Sequence, residues 1–96
     1  NALGSQGFAT VAAAVSKKRK DVVGDVRVEM HGITGGDDEY LQQDAAQTVR
    51  NALKRALSKE TQTRELEKAC KSALLSVLWE RTKQRPMVIV NVLDIP

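Results

Sequence analysis

The sequence predicts an α+β two-layer sandwich of order β-β-α-α-β, a three-stranded sheet with two antiparallel helices on one face. Three observations predict it. Val26, Val28 and Met30 alternate with Arg27, Glu29 and His31, and that period of two marks a half-buried strand. Two successive segments beyond Gly36 carry apolar residues at helical spacing. A final apolar run, Met87 to Leu93, opens just after Pro86, where a helix cannot continue.

The first element is Gly7 to Val15, GFATVAAAV, a small and β-tolerant apolar run bounded by polar residues. It reads as a strand, although its alanines would also suit a helix. Lys17, Lys18, Arg19 and Lys20 form a basic loop, and Asp21 to Asp25 leads out of it. The two strands are expected to pair antiparallel across that loop as a wide hairpin.

Gly35-Gly36 breaks the second strand. Asp37 or Asp38 can cap the next helix, and Glu39 adds negative charge to its first turn. Leu41, Ala45, Val49, Ala52, Leu53, Ala56 and Leu57 give this helix its apolar stripe, with an end near Ser58. Ser58 to Thr63 makes a short polar turn. The second helix has its stripe at Leu66, Ala69, Cys70, Ala73, Leu74, Val77 and Leu78, and the short link makes the helices antiparallel neighbours. Arg85, before Pro86, is held extended. The last strand is apolar on both faces except for Asn91, so it is expected in the interior of the sheet or under a partner. Two helices cover one sheet face and leave the other bare. The apolar side of the last strand that points there is the candidate interface, with Val88, Val90 and Val92 as contact residues and Trp79 nearby.

With 96 residues the chain is expected to be one domain, spanning residues 1–96, with one core and no deep cleft. Its first residue, Asn1, reads as the start of a piece cut from something longer. No apolar run approaches the ~20 residues of a membrane span, and no signal peptide is visible. The one cysteine, Cys70, excludes an internal disulfide and a multi-thiolate zinc site, and fits a reducing compartment. The net charge of +3 permits contact with nucleic acid, but a single basic loop produces the whole excess.

His31 is the only histidine, and no His-x-His pattern accompanies it, so it reads as an outward-facing strand residue. Cys70, on the apolar stripe of the second helix, reads as a buried inert thiol. Lys17, Lys18, Arg19 and Lys20 are candidates for RNA phosphate contact, against the plainer reading of a solvated loop. Arg81, Lys83 and Arg85 form a second basic patch, whose plainer role is to satisfy the carbonyl end of a helix. Gly32-Ile33-Thr34-Gly35 matches the GxxG pattern of backbone-gripping loops, but it follows a strand and is followed by Asp37 and Asp38, which would repel phosphate. Three rings, Phe8, Tyr40 and Trp79, spread over three elements do not make a base-stacking platform.

The segment Trp79-Glu80-Arg81-Thr82-Lys83-Gln84-Arg85-Pro86-Met87-Val88-Ile89-Val90 resembles the closing segment of ribonuclease J proteins: a helix, a basic turn, then Arg-Pro-Met opening a terminal strand. Gly7-Phe8 opening an apolar strand, the lysine-rich connection and a strand ending at Gly32 agree in order. The chain departs from that pattern at Met30-His31 before Gly32, at Ile33 after it, and at Val90, where the family often has proline.

The resemblance implies the C-terminal module of a larger RNA-degrading and RNA-processing enzyme, with zinc in a metallo-β-lactamase core outside this segment. It implies no catalytic residue, metal ligand or cofactor in the module itself. It further implies a role in oligomer assembly and in positioning the catalytic core, with the rest of the parent and further copies as partners, and no membrane. An auxiliary RNA-binding domain, contacting phosphates through its basic residues, is the alternative. The cytoplasm is the default compartment for such a parent, with a plastid as the other.

Overall fold

The computed structural model describes residues 7–59 and 62–96. The elements are β1 (Phe8–Ser16), β2 (Asp21–His31), α1 (Glu39–Leu57), α2 (Thr63–Thr82) and β3 (Met87–Asp94), the order the sequence predicts. Residues 60 and 61 of the expected turn between the helices lie outside the described residues.

The alanine-rich run is a strand because pairing on both of its sides overrides helix propensity. The sheet order is β2-β1-β3, so β1 is central. It has no charged residue between Phe8 and Ser16, as a doubly flanked strand requires. Ala9, Val11, Ala13 and Val15 are buried beneath the helices, while Phe8, Thr10, Ala12 and Ala14 face the other way.

β1 and β2 pair antiparallel from Phe8↔His31 to Ser16↔Asp21. The connection is a four-residue turn, Lys17 to Lys20, tighter than the expected wide hairpin. Ser16 is fully buried at its base, and its Oγ accepts the Arg19 N–H at 3.1 Å. The ladder is irregular between Ala12 and Ala14. There Gly24, Asp25 and Val26 stand opposite Ala13 alone, so β2 bulges outward. Arg50 of α1 donates through Nη1 to the Gly24 carbonyl at 2.6 Å and ties that bulge to the helix layer.

β3 pairs parallel with β1, from Phe8↔Met87 to Val15↔Asp94. It is therefore an edge strand, and the expectation of an interior position is corrected. The hairpin commits one side of β1 to β2, and β3 joins on the other side, which leaves β3 with a single partner among the described residues.

Asp38 is the N-cap of α1, its carboxylate accepting the Tyr40 N–H at 2.8 Å. The helix ends at Leu57 with Ser58 as C-cap, and α1 packs over β2. α2 packs over β3 and buries Leu66, Cys70, Leu74 and Leu78 completely. Fully burying such a side chain contributes about 1.5–3 kcal/mol. Asp44, early in α1, is ion-paired with Arg81, late in α2, as an antiparallel pair of helices requires. α2 stops before Pro86: Lys83 takes a left-handed conformation (φ 57°) and donates its N–H to the Trp79 carbonyl.

One glycine is fixed by close approach. Gly7 has φ of 66°, and a Cβ there would stand 2.1 Å from the His31 carbonyl oxygen and 2.5 Å from the Gly32 carbonyl carbon. Both contacts are backbone and cannot swing aside. Gly7→Ala is expected to cost about 1–3 kcal/mol through strain at a positive φ, measured by urea unfolding.

Candidate interaction surfaces

The helices cover one face of the sheet and leave the other open. Strand alternation sorts the residues between them. On β3, Val88 and Val92 are buried beneath α2 and Val90 is half-buried against the same core. Met87, Ile89 and Leu93 point to the open side and are 68%, 51% and 62% exposed. The contact set expected on the open face is thus corrected: Val88, Val90 and Val92 belong to the core side. The missed signal is Asn91, the one polar residue of Met87 to Leu93. It marks the solvent side, and Met87, Ile89 and Leu93 share its parity.

Phe8 of β1 stands next to Met87 in the ladder and is exposed on the same face. Thr10, Ala12 and Ala14 continue the row toward the far end. The apolar stripe covers β1 and β3 only. On β2 the open face turns polar at His31, Glu29 and Arg27, the neighbours of Phe8, Thr10 and Ala12. The His31 ring stacks on Phe8 with centroids 4.8 Å apart, and its Nε2 lies 3.9 Å from Glu29 Oε1.

The two basic patches sit at opposite ends of β1. Lys18, Arg19 and Lys20 are exposed and Lys17 half-exposed at the end of β1 that closes the hairpin, where the Lys17 N–H donates to Asp94 Oδ1 at 3.1 Å. Arg81, Lys83 and Arg85 lie at the other end, ahead of Met87. Nine residues at about 3.3 Å each separate the patches by roughly 25–30 Å. The second patch is organised around Trp79, which is half-exposed. The Arg85 guanidinium lies 4.6 Å and the Lys83 ammonium 5.5 Å from the indole centroid, within range of cation–π attraction. Arg81 is instead held by Asp44.

The glycine-rich loop is held in a structural role. The Gln84 side chain bridges both polar atoms of the Thr34 backbone, accepting its N–H at 3.3 Å and donating to its carbonyl at 3.0 Å. This locks the loop before α1 to the exit of α2, fifty residues away. No sequence pattern marks Gln84 for that task.

The family model for the ribonuclease J C-terminal domain matches residues 1–95. The chain belongs to that family. No curated protein matches it. It is an auxiliary domain of a ribonuclease J, the family that its closing segment resembles.

The chemistry of the other candidate residues fits an auxiliary domain of this family. The residues present do not fit a zinc site: among the described residues no three His, Cys, Asp or Glu side chains converge, and His31 has only Glu29 beside it. Among the described residues no helix is long and apolar enough to cross a membrane. Cys70 is buried in the core. Desolvation, with the nearby Glu67 charge adding to it, pushes its thiol from 9.0 up to about 12. An inert thiol follows, since the thiolate is the reactive form.

The raised thiol also links stability to pH. Below pH 9 both folded and unfolded chains hold the Cys70 proton. Between about pH 9 and 12 the unfolded chain loses it first and is favoured, so stability falls as pH rises. Denaturation at stepped pH should record that fall, and Cys70→Ala should flatten the part of it that this thiol causes.

Proposed function

We propose that this domain supports oligomerisation of a ribonuclease J-type enzyme and positions its catalytic core. The observation that carries the reading is the exposed apolar stripe on the open sheet face: Phe8, Met87, Ile89 and Leu93. An exposed apolar patch on a small domain marks a contact surface, here broken by Asn91 between Ile89 and Leu93, and the polar β2 side supplies a rim for it. Trp79 stands beyond the Met87 end of the stripe and can anchor a contact with the parent. RNA chemistry in the parent then depends on a zinc-bearing core elsewhere, which this module holds in place without contributing a reacting group.

Sedimentation of the chain over a wide concentration range tests the reading. Reversible self-association is expected, and Ile89→Asp with Leu93→Asp should shift it at least tenfold toward monomer while leaving the helical circular dichroism intact. A chain that stays monomeric throughout would count against assembly through this domain.

The second reading, auxiliary RNA binding, is favoured by the exposed cations Lys18, Arg19 and Lys20 on the hairpin turn and by Lys83 and Arg85 around Trp79. With the patches at opposite ends, each acts alone, so the affinity expected is weak, sequence-blind and salt-dependent. Titration with labelled single-stranded RNA at low salt should detect it, and Lys18→Glu with Lys20→Glu should abolish the hairpin's share. Absence of binding at low salt removes this reading.

A further inference from the structure

We infer that the outer edge of β3, with the flank of α2 above it, takes up an extended peptide segment of another protein, apolar at alternate positions and acidic at both ends. This goes beyond oligomerisation and RNA contact, neither of which uses the backbone of that edge.

The Ile95 N–H donates to the Val15 carbonyl at 2.7 Å. Strand alternation then turns the backbone groups of Met87, Ile89, Asn91 and Leu93 toward β1, and those of Val88, Val90 and Val92 outward. Among the described residues no strand pairs with that outer side. The opposite edge is guarded: β2 carries Asp21, Asp25, Arg27 and Glu29 and bulges at Gly24 to Val26. From Met87 to Leu93, β3 holds no charge and no proline, and its ladder with β1 is regular. Such an edge is a template for an added strand.

α2 gives the edge a wall. Ala73, Val77 and Glu80 line a groove with Asp44 and Thr48 of α1, so that flank of α2 faces α1. At about 3.6 residues per turn, Lys71, Leu75 and Trp79 fall on the opposite flank. Since α1 packs over β2 and α2 over β3, this flank overhangs the outer edge of β3. Leu75 is half-buried against the core and Trp79 half-exposed. A peptide strand added to β3 sends one row of side chains beneath Leu75 and Trp79 and the other onto the open face. The first row loses its water and takes the apolar side chains. The second runs beside Asn91 and stays accessible.

Charge selects the ends. Lys83 and Arg85 precede β3, both over the Trp79 ring. Lys17 to Lys20 stand at its far end, where the Lys17 N–H donates to Asp94, and Lys71 lies on the overhanging flank. These cations outnumber the neighbouring acids Asp21, Glu67, Glu80 and Asp94, so both ends of the edge are positive. A second copy of β3 arrives with cations at both of its own ends, whichever way it runs. A nucleic acid matches the charge but has no strand backbone to complete the ladder. An acidic-ended peptide satisfies both requirements.

Titration with a synthetic peptide, two aspartates at each end of a Val-Thr-Val-Thr-Val core, tests this, with amide hydrogen exchange as the second readout. Binding that weakens with salt is expected, together with protection of the Val88, Val90 and Val92 amides. The same core with lysine ends should bind at least tenfold more weakly. So should the acidic peptide with proline at two adjacent core positions, one of which must face β3. Lys71→Glu with Arg85→Glu should weaken the acidic peptide severalfold and shift the preference toward lysine ends. The peptide series needs no variant of the chain, so it carries the test should that double variant fail to fold. Equal binding of acidic and lysine-ended peptides, equal binding of the proline peptide, or three outward amides left unprotected overturns the inference. Concentration-dependent protection of those amides without peptide gives the edge to a second copy and overturns it too. Single-stranded RNA that binds where the peptide does not also overturns it, and leaves oligomerisation and RNA contact to their own tests.

Discussion

Everything in this domain depends on β1 being flanked on both sides. It pairs with β2 on one side and β3 on the other, and between Phe8 at its start and the buried Ser16 at its end it carries only alanine, valine and one threonine. Ala9, Val11, Ala13 and Val15 form the floor on which both helices rest. Their small size lets the helices lie close to the sheet, and the lack of charge lets β1 accept neighbours on both edges. Were β1 charged or bulged, β3 would have no place to dock and α2 would lose the strand it packs on.

From that central strand follows the asymmetry that gives the domain its surfaces. Two helices suffice for one sheet face, and among the described residues nothing covers the other. Along the bare face the side chains change character from strand to strand: apolar on β3 and β1, charged on β2. The edges differ in the same sense, with β2 bulged and gripped by Arg50, and β3 regular and, among the described residues, paired on one side only. Polar interactions are spent instead on locking the ends: Gln84 on the Thr34 backbone, Asp94 on the Lys17 N–H, Arg81 on Asp44. They hold the connections in register, and among the described residues no three His, Cys, Asp or Glu side chains converge as metal ligands.

In the assembly reading proposed for this member of the ribonuclease J C-terminal family, the open sheet face is the surface that is joined. The cations are set at the two ends of the sheet, and the second cluster is partly occupied by its own tryptophan.

Local pattern by itself determined the kind and order of the elements. Alternation at Val26 to Met30, the stripes of α1 and α2, Asp38 as a cap and Pro86 as a stop are short-range signals, and each acts within one or two turns of the chain. The Arg-Pro-Met segment likewise carried the family. Which strand lies in the middle, and which side of β3 faces the helices, was decided only by tertiary structure. Both depend on pairings between residues about eighty positions apart, Phe8 with Met87 and Val15 with Asp94. A strand apolar on both faces, such as Met87 to Leu93, has no strong contrast in its own sequence to fix its orientation. The helix layer supplied it, by taking Val88 and Val92 and leaving Met87, Ile89 and Leu93 outside with Asn91. The separation of the two basic patches was settled in the same way, since only the parallel pairing of β3 with β1 places the start of one strand beside the start of the other.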